Sequence, residues 1–310
     1  MSASFSSALG AALEAAGAQH YPQSTLYVVA TPIGNLADIS LRALHVLALA
    51  DRVACEDTRH TQALLRAYGI DKSGAQLLAL HQHNEAQAAN GVVDLLRAGL
   101  RVAYVSDAGT PGVSDPGARL VAQVRAQGLR VVPLPGASSV TTVLSAAGVV
   151  QDAQGGTGFV FAGFLPSKTT ERTHAVHALA SQAQAIVMLE APHRIEALAL
   201  ALATLGARLV TVGRELTKQF EEIATVRADA LPAWLAADAN RLRGEFVLVL
   251  HPRQATAAAV QDDGVLKLLL EHLPLKTAVK LAADISGEPR NALYQRALAL
   301  KAPSSDDALD

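Results

Sequence analysis

The chain has 310 residues, of which 50% are hydrophobic and 17% are charged, with a net charge of −2. This composition excludes an intrinsically disordered protein, and the length allows two ordinary domains and a tail. It also argues against a protein that grips long nucleic acids mainly by their phosphates, so any such site must be local or depend on shape. With one cysteine, Cys55, and no long apolar run, we expect a cytoplasmic protein without disulfides or a membrane span.

Short apolar runs alternate with helical patterns from residue 25 onwards, which predicts an α/β fold with mainly parallel sheets. The residues before this point, 1–24, lack the basic and apolar segments of a secretory signal and are predicted to be a flexible N-terminal extension. A first α/β domain is predicted over 25–150. Its predicted strands are 26–30, 52–55, 77–80, 102–105 and 129–134, and its predicted helices are 41–50, 58–68, 85–97, 119–126 and 138–147.

A polar, Gly-rich stretch at 151–158 is the predicted linker to a second α/β domain over 159–252. The strands predicted in this domain are 159–163, 184–189, 209–212 and 246–250. A helical tail is predicted over 262–302, and its layout resembles a helix-turn-helix pair. Two helices packed on a core of their own are the alternative, because Arg290 and Arg296 are few cations for a nucleic-acid footprint.

Three loops that directly follow predicted strands of the first domain are rich in small and turn-forming residues: 31–36, 106–117 and 134–139. Ligands of open parallel sheets bind at the carboxyl ends of strands, where Gly permits close approach and Pro fixes the loop shape. Ser138 and Ser139 begin a helix, which they could cap while leaving N–H groups for a ligand carboxylate. Neither G-x-x-x-x-G-K-[ST] nor G-x-G-x-x-G is present, which argues against ATP hydrolysis and hydride transfer.

Nine motifs in collinear order resemble those of a known family. They are TPIGNLADIS, CEDTRHT, HNE, SDAGTPGVSDPG, VVPLPGASS, GFLPSK, EAPHR, GRELTK and GEFVLVL. In order and spacing they are similar to the ribosomal RNA small subunit methyltransferase I family, a branch of the tetrapyrrole (class III) methylases. The resemblance runs from about residue 26 to 250, and the tail is similar to the C-terminal end of that family.

The resemblance implies a protein that is usually a homodimer and binds S-adenosylmethionine in a cleft between two α/β domains. It implies 2′-O-methylation of a cytidine ribose in the decoding region of 16S ribosomal RNA. Given the low charge, we expect the assembled small (30S) subunit to be preferred over bare RNA. The residues that the resemblance implies for cofactor binding are Pro32, Asp107, Ala108, Gly109, Ser138, Ser139, Glu190 and Ala191.

A ribose hydroxyl is a poor nucleophile until its proton leaves, so a proton acceptor is needed beside the methyl donor. Asp57 and Glu56 follow the second predicted strand and are the predicted catalytic residues. Arg59 either pairs with these acids or contacts an RNA phosphate. Lys168 and Arg172 are predicted phosphate contacts at the mouth of the cleft, with solvated surface charge as the alternative.

No metal is expected, because His81 and His83 form an H-x-H pair without further ligands at matching spacing. Two other functions remain open. The first is a precorrin or uroporphyrinogen C-methyltransferase, although the tetrapyrrole-type methylases have a more Gly-rich first loop than the TPIG sequence at 31–34 of this chain. The second is a regulator that senses S-adenosylmethionine and binds DNA through its tail, although the chain has no other basic helix.

Overall fold

The computed structural model describes residues 5, 7–81, 85–150, 158–180, 182–252, 263–286 and 289–301. The chain divides into two compact units, Met1–Arg253 and Gln254–Asp310. The first unit contains two five-stranded sheets, and three helices lie in the described part of the second. Within the described ranges, no helix combines the length and the apolar character needed to cross a bilayer.

The first sheet is parallel throughout, in the order β3-β2-β4-β1-β5. Its inner strands are continuous apolar runs because helices cover both faces. Every strand and helix predicted in this half lies within two residues of its observed bounds. These bounds are α1 (Ala8–Ala16), β1 (Thr25–Val29), α2 (Leu41–Leu49), β2 (Arg52–Cys55), α3 (Thr58–Ala67), β3 (Leu77–Ala79), α4 (Glu85–Arg97), β4 (Arg101–Val105), α5 (Gly117–Ala126), β5 (Arg130–Leu134) and α6 (Ser139–Ala147).

Part of the N-terminal segment is a packed helix, so the expectation of a flexible extension is wrong for residues 8–16. Ala12 and Ala16 of α1 are buried in the same core as α2. The Tyr21 hydroxyl donates to the Ala16 carbonyl at 3.1 Å, which fixes the end of the helix. Alanine has the highest helix propensity, and its small side chain allows helices to approach closely, so the composition favoured this helix.

The second sheet, which was predicted to be mainly parallel, is mostly antiparallel. Its order is β6-β7-β10-β8-β9, and β6 with β7 is the one parallel pair among these neighbouring strands. The residues between β8 and β9 are 215–221, too few for the crossover that a parallel pair requires. The elements of this half are β6 (Phe159–Phe164), α7 (Thr169–Ala180), β7 (Ala185–Glu190), α8 (Ile195–Ala203), β8 (Leu209–Arg214), β9 (Glu222–Arg227), α9 (Leu231–Ala236) and β10 (Phe246–Leu250).

Strand β9 was missed in the sequence because it has no apolar run. Its residues alternate between half-buried and exposed positions, as expected for an edge strand with one covered face. Helices α7, α8 and α9 contribute to the core on one face of this sheet. Helix α6, which precedes β6 in the chain, packs on the other face through Val140 and Val143, so it joins the two sheets.

The second unit contains α10 (Gly264–His272), α11 (Leu275–Ser286) and α12 (Arg290–Lys301). All three contribute to a small core that includes Leu266, Val279 and Leu293. Arg296, one of the two arginines that are too few for a strong nucleic-acid footprint, pairs with Asp263 at 3.1 Å. We retain as proposals the domain boundaries 25–150, 159–252 and 262–302. The predicted linker lies outside the described residues except for Gly158.

Candidate functional site

A cavity of about 390 Å³ lies between the loops of the first sheet on one side and strands and loops of the second sheet on the other. This volume is within the range of small-molecule sites, and the lining is mostly apolar with a few polar groups, as such sites usually are. Six of the eight predicted cofactor residues line it: Ala108, Gly109, Ser138, Ser139, Glu190 and Ala191. Pro32 and Asp107 do not line it, but each precedes a residue that does.

The three loops rich in small residues converge at this cavity. Thr31 and Gly109 exchange both backbone hydrogen bonds, at 3.0 and 3.1 Å, which joins the first loop to the second. The Thr110 hydroxyl donates to the Ala137 carbonyl at 2.9 Å, which joins the second loop to the third. One wall of the cavity is therefore a set of backbone segments held by one another.

Two glycines of this wall are required by geometry. Gly109 has φ +82°, a conformation that side chains rarely adopt, and a Cβ there would lie 3.3 Å from Cγ2 of Ile33. Gly136 is packed against Ala30, which directly follows β1, and a Cβ at Gly136 would lie 2.8 Å from that of Ala30. The small residues thus allow the loops to pack closely and leave the cavity open.

The N-terminus of α6 forms part of the same wall, through Ser138, Ser139 and Val140. Ser138 is the N-cap residue, but its side chain makes no capping hydrogen bond, in contrast to the capping expected from the sequence. The first N–H groups of a helix have no partner within the helix and carry a partial positive charge. This position therefore suits a carboxylate of a ligand.

The opposite wall consists of side chains from the second sheet and its loops, and it contains a buried carboxylate. Glu190 is 2% exposed, its Oε1 accepts from the Ala191 amide at 2.9 Å, and it pairs with Nε of Arg194 at 3.0 Å. Its Oε2 is buried without a hydrogen-bond partner. An unsatisfied carboxylate oxygen is costly to bury, so we expect a ligand to donate a hydrogen bond to it.

A connection between the halves closes one side of the cavity at Leu216, which lines it. The Asn35 amide donates to the Thr217 hydroxyl at 3.1 Å. A Cβ at Gly34 would collide with the side chain of Lys218. Thr217 itself has φ +67°, a strained conformation that the surrounding contacts maintain.

Asp115, which was not singled out in the sequence, holds the longest cavity loop in shape. Its Oδ1 accepts from the Tyr104 hydroxyl at 3.0 Å and the Gly117 amide at 2.7 Å. Its Oδ2 accepts from the amides of Gly112 at 2.7 Å and Val113 at 3.3 Å. The Asp-Pro-Gly run was a usable signal, because an Asp in a turn commonly accepts from the amide two residues later.

Comparison with known proteins identifies the family. The family model of Tetrapyrrole (Corrin/Porphyrin) Methylases matches residues 25–232, and that of the RsmI C-terminal HTH domain matches 256–301. A ribosomal RNA small subunit methyltransferase I of Escherichia coli O157:H7 is 45% identical over 280 residues, 89% of this chain and 95% of the relative. One of Neisseria meningitidis serogroup A is 47% identical over 281 residues, 89% and 94% of the two chains.

The chain belongs to the ribosomal RNA small subunit methyltransferase I family. It is a methyltransferase with the tetrapyrrole methylase fold, as the resemblance implied. A solved structure with this fold is a uroporphyrin-III C-methyl transferase from Thermus thermophilus complexed with S-adenyl homocysteine. It has a TM-score of 0.50, is 17% identical, and covers 73% of this chain and 97% of its own. At this identity the similarity shows the fold alone.

The two predicted catalytic acids of this methyltransferase differ in basicity. Asp57 is the N-cap of α3 and accepts from the amides of Arg59 and His60. The hydrogen bond from the Arg59 side chain, with those two amides, lowers the pKa of Asp57 to about 2, which makes it a weak base. Burial, with repulsion from Asp107, raises the pKa of Glu56. The Oε1 of Glu56 accepts from the Asp107 amide at 3.1 Å, next to the cavity residue Ala108.

The three predicted phosphate contacts of the methyltransferase have different surroundings. The side chain of Arg59 is 91% exposed and pairs with Asp57 at 3.2 Å, and that of Lys168 is 79% exposed and pairs with Glu171 at 3.0 Å. Arg172 is only 4% exposed and donates to the carbonyls of Pro166 and Ser167, at 3.0 and 2.6 Å. Its placement argues against a phosphate contact: it holds the chain after β6 in shape.

From the sequence, no metal is expected at the histidine pair His81 and His83. His83 lies outside the described residues. Among those that the structure describes, no three His, Cys, Asp or Glu side chains are grouped as a metal site requires.

Proposed function

We propose that this methyltransferase methylates the 2′-hydroxyl of a cytidine ribose in the decoding region of 16S ribosomal RNA, with S-adenosylmethionine as donor and the assembled 30S subunit as substrate. The observation that carries the proposal is a cavity of small-molecule size, lined by six residues expected to bind the donor, in a chain 45–47% identical to ribosomal RNA methyltransferases over most of its length.

The residues at the cavity fit this donor. When bound, S-adenosylmethionine supplies a methyl group on a sulfonium, which a nucleophile can attack. The first amides of α6, at Ser138 and Ser139, would hold a carboxylate. The free Oε2 of Glu190 would accept from an ammonium or hydroxyl group. The close-packed backbone at Gly109 would align the donor, and alignment can contribute up to roughly 7–11 kcal/mol.

Of the two candidate acids, we propose Glu56 as the acceptor of the ribose proton. Its raised pKa brings its basicity closer to that required at neutral pH, whereas Asp57 binds a proton too weakly. Asp57 instead has the role of capping α3 and orienting Arg59. A positioned base of this kind contributes about 10²–10⁴-fold to the rate.

A net charge of −2 favours a folded particle over bare RNA as the substrate. An assembled subunit has a preformed shape in which the target ribose is held in place. The enzyme can recognise that shape and therefore needs fewer phosphate contacts. We also propose a homodimer in the cytoplasm, on the basis of family membership.

The other two functions have less support. The tetrapyrrole C-methyltransferases are related to this chain by fold, at an identity of 17% in the example above. A DNA-binding regulator would need a basic surface, and in the tail both Arg290 and Arg296 pair with acids of the same unit.

The test is methyl transfer from labelled S-adenosylmethionine to three acceptors: 30S subunits that lack the modification, bare 16S ribosomal RNA, and uroporphyrinogen. We expect label in the subunits, mapped to one cytidine 2′-O-methyl group, and less in bare RNA. Equal labelling of subunits and bare RNA would refute the substrate preference. Label in the porphyrinogen alone would refute the RNA function.

A further inference from the structure

A half-exposed aromatic ring lies at the edge of the cavity. Phe164 lines the cavity, yet 53% of the residue is exposed. Val113, on the long loop of the first half, also lines the cavity and is 38% exposed. Together the two side chains form an apolar surface at the cavity edge, which a ligand could cover favourably.

A β-bulge turns this ring towards the cavity. In the register of β6 with β7, Phe161 is opposite Val187, Gly163 is opposite Met188, and Phe164 is opposite Leu189, so Ala162 has no partner of its own. Phe161 and Phe164 therefore face the same side as Val187 and Leu189, the side of the cavity. With strict alternation, Phe164 would point to the opposite face with Val160.

The residues on either side confirm this change of face. Val160 and Ala162 pack in the core on the α7–α9 side of the sheet, and so does Leu165, which follows the bulge. Gly163 has φ +63°, which only glycine adopts readily. Bulges that redirect a side chain are frequent beside active sites.

The size of the cavity limits where the acceptor can bind. A volume of about 390 Å³ is near the lower end for sites of one small molecule. It suits the donor but not the donor together with a nucleotide. A nucleotide at the edge, with its ribose facing inwards towards the methyl group, would have its base outside the cavity, where Phe164 is an exposed aromatic ring.

Base stacking also suits the charge of the protein. Arg172 is buried by loop carbonyls, which leaves Lys168 as the exposed cation among the predicted contacts after β6. Recognition of single-stranded RNA commonly relies on aromatic rings that stack on unpaired bases, and this contact needs no net positive charge.

We propose that Phe164 is the platform on which the base of the acceptor nucleotide stacks, so that the ribose is positioned at the cavity opening. This inference rests on the proposed function. It assigns Phe164 a substrate-positioning role for an unpaired pyrimidine nucleotide of RNA, and not a role in donor binding.

The experiment compares Phe164→Leu, which keeps apolar volume, with Phe164→Tyr, which keeps the ring. Phe220→Ala is the matched control, because Phe220 is 69% exposed and does not line the cavity. Five quantities are measured for each full-length variant: kcat and KM with unmodified 30S subunits, affinity for S-adenosylmethionine by calorimetry, affinity for subunits by sedimentation, and oligomeric state.

For Phe164→Leu we expect kcat/KM with subunits to fall by roughly 5- to 150-fold, the range for loss of one base–aromatic stack. Affinity for S-adenosylmethionine should change less than about twofold, while Phe164→Tyr should restore transfer and Phe220→Ala should behave as wild type. Equal loss of donor affinity would place the ring on the donor and overturn the inference. So would wild-type kinetics of Phe164→Leu, or a change of oligomeric state that accounts for the loss. A wild-type protein that methylates no RNA would instead refute the proposed function.

Discussion

The two sheets of the first unit form opposite walls of the cavity by different means. The parallel sheet contributes backbone, in loops closed by the Thr31–Gly109 hydrogen bonds and by glycines that admit no side chain. The mostly antiparallel sheet contributes side chains, among them the buried carboxylate of Glu190 and the ring of Phe164. Substitutions that add atoms should therefore disturb the cavity most on the backbone wall. Substitutions that remove atoms should disturb it most on the side-chain wall.

The largest effect is expected on the side-chain wall, at Glu190→Ala. Removal of the carboxylate leaves Arg194, whose side chain is 21% exposed, without its ion-pair partner. We expect a loss of about 3 kcal/mol in the free energy of unfolding, measured with urea, because breaking a buried pair costs about that much. Donor affinity should fall as well, since Oε2 is removed.

The matched control is Glu171→Ala, which breaks the exposed pair with Lys168. It should lose less than about 1 kcal/mol, as surface ion pairs do. Similar losses in the two variants would contradict the view that burial makes Glu190 important.

The next effect should come from Asp115→Ala, which removes the acceptor of four hydrogen bonds in the longest loop of the backbone wall. We expect a loss of about 2 kcal/mol in unfolding free energy and weaker donor binding in calorimetry. Asp238→Ala is the comparison, because Asp238 accepts from the Asn240 amide at 2.8 Å and does not line the cavity. If Asp238→Ala weakened donor binding equally, loop shape would not be the cause.

The variants Gly109→Ala and Gly128→Ala test whether the backbone wall of the cavity tolerates an added methyl group. Both residues have positive φ, +82° and +70°, but nothing lies within 4 Å of a Cβ at Gly128. Each substitution should cost about 1–2 kcal/mol of stability through backbone strain. Only Gly109→Ala should also weaken donor binding, by about tenfold, equal to about 1.4 kcal/mol. Equal donor affinities in calorimetry would show that the backbone wall tolerates a methyl group.

Substitution of Glu56 should have the smallest effect on folding stability but a clear effect on the rate of methyl transfer. With its pKa raised by burial and by Asp107, single-turnover methyl transfer should fall as the pH drops through a value above the ordinary 4.5 of glutamate. If Asp57 were the base, its pKa of about 2 would leave the rate flat over that range. Glu56→Gln should remove the pH dependence and lower the rate by about 10²–10⁴-fold.

Glu56→Gln should lower the rate of methyl transfer but slightly increase the stability of the folded protein. An acid whose pKa is raised in the folded state binds its proton more tightly there, so its contribution to stability is lost as the pH rises through that pKa. At neutral pH the ionised Glu56 thus opposes folding, and Glu56→Gln should slightly raise Tm. Asp57→Asn should slightly lower Tm at neutral pH, because the negative charge that interacts with Arg59 and with the N-terminus of α3 is lost.

Much of the first half was predictable because its signals are local. Apolar runs marked β1 and β4, and the loops of small residues contain Gly109 and Ser138, which line the cavity. The sequence was less informative in the second half. The edge strand β9 has an alternating pattern without an apolar run, and its antiparallel direction depends on the connection 215–221.

The sequence also did not show which charged side chains are buried in the folded protein. Arg172 and Lys168 are both cations close to the GFLP motif, yet one is buried by carbonyls and the other is exposed. The basicities of Glu56 and Asp57 likewise differ through three-dimensional neighbours. Composition and spacing cannot separate such pairs, because the difference lies in which backbone groups surround them.

The bulge at Ala162 makes the direction of the Phe164 ring depend on the backbone conformation of β6 more than on the side chain at position 162. That side chain is small and partly buried, so many substitutions there should be tolerated. A deletion of this one residue would remove the bulge, but the shortened strand would still place Phe164 opposite Leu189 on the cavity side, because Gly163 and Phe164 would then continue the alternation after Phe161. Regular pairing of all residues from Phe161 to Phe164 would instead turn the ring to the α7–α9 face, so replacement of Gly163, whose φ is +63°, should be the change that this enzyme cannot accommodate.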